Sequence, residues 1–116
     1  MIRALLAVLL LSAFTKTGGS SLQDAGKVEL EFVSGDHWAI DRKQSAKALL
    51  LEDGTQWLVI NTDAPDDELE QRILHEMAHF IAWQRHGTDI RPHGPEFKRI
   101  CLQIVTKRQN YFCKGN

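Results

Sequence analysis

Cysteine, proline and tyrosine are scarce in this 116-residue chain, at two, three and one. Two cysteines with no CxxC pair exclude a cysteine-built zinc ribbon. Cys101 and Cys113 are left either to pair or to sit as buried thiols, and either redox compartment suits them. Long apolar runs are also missing. The longest spans residues 4–14, well short of the roughly 20 that a transmembrane helix needs. Repeats and low-complexity tracts are absent, so a solenoid or a disordered tail is not indicated. Net charge is only −1.

What is present fits one small globular domain. Hydrophobic residues make up 43% and charged residues 25% of the chain, both ordinary for a folded domain. Residues 1–20 read as a separate unit. Arg3 precedes the apolar run, and Thr15-Lys16-Thr17-Gly18-Gly19-Ser20 follows it. A positive end, a short hydrophobic core and a small-residue region describe a secretory signal peptide. The alternative is a first helix packed on the domain, although an apolar surface all round does not suit a surface helix. A signal implies an exported protein, periplasmic or secreted; the helix leaves a cytoplasmic location open. Residues 21–116 then form the domain, long enough for one core, which a bound metal would stabilise further.

Strand patterns come first. Val28, Leu30 and Phe32 alternate with Lys27, Glu29 and Glu31, a period of two. Residues 37–42 offer a weaker strand. Residues 48–51 and 57–60 are apolar runs joined by Glu52-Asp53-Gly54-Thr55, whose Asp-Gly predicts a hairpin. Helical patterns follow. Leu69, Ile73, Met77, Phe80 and Ile81 form one apolar stripe. It lies after Asp63-Ala64-Pro65-Asp66-Asp67-Glu68, which supplies a cap candidate, an early proline and acids for the positive end of the dipole. Arg85, His86 and Gly87 make a stop. A second helix starts near Pro95, with Phe97, Ile100, Cys101, Ile104 and Val105 on its apolar face. Strands followed by helices predict an α+β domain with a short antiparallel or mixed sheet.

The first helix carries His75-Glu76-Met77-Ala78-His79. Histidines four apart lie about 40° from each other around a helix, so both can reach one metal ion. Glu76 points about 100° away from His75, where it can take a proton from water activated by that metal. The pattern is that of a zinc metalloprotease. A third ligand has to come from elsewhere. The extended H-E-x-x-H-x-x-G-x-x-H pattern is not met, because Ala82 and Arg85 stand at its glycine and histidine positions. His86 is about 10 Å along the axis from its helical predecessor at 79 and reads as a helix-end residue. His93, between Pro92 and Gly94-Pro95, sits in irregular backbone at the mouth of the second helix and is the candidate third ligand. Glu96 is a carboxylate alternative.

The string Ile73-Leu74-His75-Glu76-Met77-Ala78-His79, followed by His93-Gly94-Pro95-Glu96-Phe97-Lys98, resembles the SprT-like, Spartan-related zinc metalloprotease family over roughly residues 45–105. In that family an H-G-x-x-[FW] segment follows the H-E-x-x-H helix. The resemblance implies a zincin-like fold, Zn2+ held by His75, His79 and His93, and Glu76 as the catalytic residue. Its substrates would be proteins or peptides. The family's larger members add a C-terminal zinc ribbon or DNA- and partner-binding tails, and this sequence has neither.

These features predict a zinc metallopeptidase with Glu76 as general base. A substrate in extended form would pair with the edge of residues 57–60. Arg91, His86 and Tyr111 are candidates for stabilising the oxyanion. Two other readings compete: a catalytically silent zinc-stabilised module that binds peptides, and a DNA-associated protease acting on protein adducts. Seven bases against two acids from Arg85 onward, with Tyr111 and Phe112 nearby, admit a polyanion partner, although such charge is commonly a solvated helix face.

Overall fold

A mixed three-stranded sheet backs the helix that carries the paired histidines. The structure, a computed structural model, describes residues 22–41, 44–64, 67, 69–105 and 113–114. The signal-peptide or first-helix reading of residues 1–20 falls outside them. A single 3-10 turn, Leu22–Ala25, precedes strands β1 (Glu29–Val33), β2 (Ala46–Leu50) and β3 (Gln56–Asn61). Helices α1 (Leu69–His86) and α2 (Pro95–Ile104) follow. The molecule is the small α+β domain that the order of sequence patterns predicts, and its sheet is mixed.

Strand β3 is central. It pairs antiparallel with β2, Ala48 facing Leu58, and parallel with β1, Glu31 facing Val59. The β2–β3 connection is the expected hairpin: Leu51 N–H donates to Thr55, Gly54 N–H donates to Leu51, and Gly54 has φ +90°. That left-handed backbone suits glycine, which has no Cβ to clash. The central place of β3 corrects one expectation. Residues 57–60 cannot offer an edge to a substrate, because both sides of this strand are already paired. Among the described residues, the edge beside α1 that no other strand pairs belongs to β2. Sequence patterning identifies strands, but their order depends on the path between them. Here the chain leaves β1, passes over β3 and returns as β2.

Residues 37–41 form that passage and are not a strand. His37 Nδ1 accepts a hydrogen bond from Ala39 N–H, and Ile40 N–H donates to His37 O. These local bonds curl the segment into turns and lay Ala39 and Ile40 on the outer face of the sheet against Val33 and Val59. The inner face is the larger core. Leu58 and Ile60 of β3 and Ala46 of β2 pack there against Leu69, Ile73, Leu74, Met77, Phe80 and Ile81 of α1. The whole predicted stripe of α1 is buried. Burying such side chains is the main source of stability, at about 1.5–3 kcal/mol for each large one.

The ends of α1 are set differently. Gly87 closes it with φ +78°, and its N–H bonds Trp83 O, a left-handed helix stop. Asp63 does not cap the start. Its carboxylate accepts instead from Gly35 N–H at 2.8 Å, tying the start of the β3–α1 connection to the turn after β1. Gln56, 2% exposed, donates to Ala25 O and Lys27 O and accepts from Gln84. Arg85 and Asp24 form an ion pair at 2.7 Å. These bonds fasten the 3-10 turn to the far end of α1. A disulfide joins Cys101 of α2 to Cys113, with Cα atoms 5.6 Å apart, resolving what spacing alone left open.

Candidate metal centre

Helix α1 carries His75 and His79 one turn apart, with their ring centroids 5.1 Å from each other. They flank the apolar stripe, so the helix holds them against the core rather than in free solvent. The third imidazole comes from the connection to α2. Gly94 N–H bonds Arg91 O, Pro95 occupies the first turn of α2, and Lys98 N–H bonds Gly94 O. A proline there has φ fixed near the helical value and no N–H to waste. Gly94 lies in a close approach: a Cβ there would stand 3.1 Å from the Arg91 Cβ, so the neighbouring side chain would have to shift. This tight entry turns His93 back over α1.

The three rings meet. One nitrogen from each of His75, His79 and His93 lies within 4.8 Å of the others. His93 Nε2 and His75 Nε2 are 3.3 Å apart. Two nitrogens bound at about 2.0–2.1 Å to one tetrahedral ion are separated by roughly 3.3–3.4 Å, so this pair already has the spacing of co-ligands. The donors are chemically suited as well, since a metal binds neutral imidazole. Burial pushes His79 down to about 3, with His75 and His93 adding to the effect. Burial, then the nearby Lys98 charge, also lowers His93. The cluster can hold a metal ion.

Glu76 lies alongside without joining the cluster. Its Oε1 accepts a 2.9 Å hydrogen bond from Ala48 N–H on the edge of β2. Its Oε2 stands 3.5 Å from His75 Nε2. Burial raises the carboxyl to about 7, outweighing the Ala48 hydrogen bond and the charges of Arg72 and Lys47.

Phe97 closes the floor of the site. It is fully buried, and its ring centroid is 4.9 Å from His75, 4.3 Å from His79 and 5.1 Å from His93. Trp83, half-buried, stacks on His79 from one turn further along α1.

The fold places the predicted site residues unevenly. His75, His79 and His93 come together, with Glu76 beside them. Glu96 is outside the cluster. His86 and Arg91 are exposed and are not among the three clustered residues, and Tyr111 lies outside the described residues. Two contributors were missed. Ala48 acts through its backbone, which no residue pattern reveals. The sequence marks Phe97 as an apolar helix position and as the aromatic of the H-G-x-x-[FW] segment, but not as a neighbour of all three imidazoles.

A mixed sheet, a helix bearing two metal-suited histidines and a third ahead of a second helix define a zincin-like domain. The SprT-like family model matches residues 58–114, from β3 through both helices to the C-terminal cysteine. The chain belongs to the SprT-like family. Protein SprT of Pseudomonas paraeruginosa strain PA7 is 53% identical over 36 residues, covering 31% of this chain and 22% of that protein. Protein SprT of Pseudomonas aeruginosa strain LESB58 matches to the same extent. The chain therefore aligns with less than a quarter of the length of these relatives. No solved structure matches it.

Proposed function

We propose that this protein is a zinc-dependent metallopeptidase. The observation that carries the reading is the convergence of three imidazoles from two elements, within 4.8 Å, beside a buried glutamate. His75, His79 and His93 would hold Zn2+, a three-histidine set that leaves a coordination position open. When bound, zinc supplies Lewis acidity, which acidifies water and polarises a carbonyl.

The remaining chemistry belongs to the chain. Glu76 Oε1 is held by Ala48, which turns Oε2 towards the imidazoles. Oε2 takes the proton of the attacking water and passes it to the leaving amine. Burial keeps Glu76 near neutral acidity, where a general base is most effective. An extended peptide would lie along the edge of β2 that borders the site, pairing with backbone groups beyond the Ala48 amide that Glu76 holds.

The disulfide supports an oxidising compartment, and with it export. It lends no support to a DNA-associated role inside the cell.

Metal analysis of wild type, His93→Ala and Glu76→Gln, paired with a general protease assay, tests the reading. Wild type should carry one zinc per chain and cleave an unfolded protein. His93→Ala should lose zinc and activity together, and Glu76→Gln should keep zinc and lose activity. Zinc retained in full by His93→Ala would remove that residue from the ligand set.

A further inference from the structure

We infer that Phe97 is a positioning residue, a shared aromatic wall that sets the orientation of all three imidazoles before any metal arrives. The inference rests on the proposal that these histidines hold zinc. Phe97 meets the edges or faces of His75, His79 and His93 at interplanar angles of 61°, 25° and 81°. Edge-to-face and stacked contacts at such distances are the favoured aromatic geometries. Each ring is thereby turned by the same neighbour.

The Nε2 atoms of His75 and His93 stand 3.3 Å apart, and free χ angles would let the rings swing out of that spacing. Rotamers locked by packing prevent that. A fully buried ring touching all three is well placed to do so. Phe97 also joins the two elements of the site. It belongs to the same Gly-Pro helix entry as His93, yet its ring lies against His75 and His79 of α1. The third ligand is thus docked by side-chain packing as well as by any bound ion.

The test uses the full chain stripped of metal, titrated with Zn2+ against a competing chelator and with Co2+ followed by its ligand-field absorption. Phe97→Leu should weaken zinc binding about 10–100-fold, the range for residues that orient metal ligands, and should change the Co2+ spectrum. Phe97→Tyr, which keeps the ring, should stay within a few-fold of wild type even if its hydroxyl lowers thermal stability. Ile104→Ala, at the far end of α2 in the same core, should lower stability while leaving affinity and spectrum unchanged. If Phe97→Leu does not fold, Phe97→Met, which fills similar volume, carries the same comparison. Wild-type affinity and spectrum in Phe97→Leu or Phe97→Met would overturn the inference, as would an equal loss in Ile104→Ala. Wild-type protein that takes up no zinc would overturn both this inference and the metal-site reading.

Discussion

The carboxylate of Glu76 is bound to the amide of Ala48 at 2.9 Å, so the helix that bears the histidines is tied to the edge of the sheet through its glutamate. The contact gives Glu76 a fixed direction and marks β2 as the strand that borders the site.

Glu76→Gln preserves this tie, because an amide oxygen accepts from Ala48 as a carboxylate does. The variant should fold, retain metal and lose turnover by about 10²–10⁴-fold, the usual worth of a general base. Peptide cleavage assays beside metal quantification check it; turnover within tenfold of wild type would remove Glu76 from the base role.

Acid stability of the metal-free protein follows from two opposed groups. His79 is held near 3, below its unfolded value of about 6.5. Its contribution is complete above pH ~6.5 and is lost as pH falls from there towards 3, at up to about 1.4 kcal/mol per pH unit. Glu76 is raised to about 7, so its contribution is complete below the unfolded carboxylate value of about 4.3 and is lost as pH rises through 7. Between roughly pH 4.5 and 6.5 the two slopes oppose each other, and the lowered His93 adds to the histidine side. Across that window the urea midpoint of wild type should vary less with pH than that of Glu76→Gln. Glu76→Gln should reveal the histidine slope and weaken as the pH is lowered.

Reduction of the Cys101–Cys113 bond should lower stability without unfolding the site outright. Closing a loop of 12 residues removes about 3 kcal/mol of chain entropy from the unfolded state. Thermal melts with and without a dithiol should differ by on the order of 10 °C. A Cys101→Ser, Cys113→Ser double variant should melt at the reduced value in both.

Gln56→Leu should cost about 1–3 kcal/mol, since it strands the Ala25 and Lys27 carbonyls that Gln56 satisfies. Urea unfolding measures the loss. Metal affinity should be unchanged, because these bonds lie at the other end of α1 from His75.

The sequence carried the parts of this site that local chemistry controls. The i, i+4 histidines and the stripe from Leu69 to Ile81 follow from helical period. Pro92 and Pro95 located His93 in an irregular entry, and Asp53-Gly54 located the hairpin. Other features depend on tertiary path. Nothing in residues 57–60 reveals that β1 pairs on their far side. Residues 37–41 had strand-like composition, but side-chain and turn bonds around His37 prevailed. The segment 63–68 offers a cap candidate for α1, yet its first residue, Asp63, serves a turn 28 residues earlier. The pairing of Cys101 with Cys113 follows only from the fold, which brings their Cα atoms to 5.6 Å. Ala48 enters through an amide that every residue type except proline has.

The parallel pairing of β1 with β3 has a consequence for assembly. The hairpin and the two helices close through neighbouring stretches of chain, and the imidazoles of His75 and His93 are only 18 residues apart. Strand β1 has to wait for a partner that follows the crossover and the whole of β2. Contacts of longer reach form more slowly. Pulse-labelled hydrogen exchange should therefore protect the β2–β3 hairpin before β1. On that order, His75 and His93, closer in sequence than β1 is to β3, would meet while one side of the central strand is still bare.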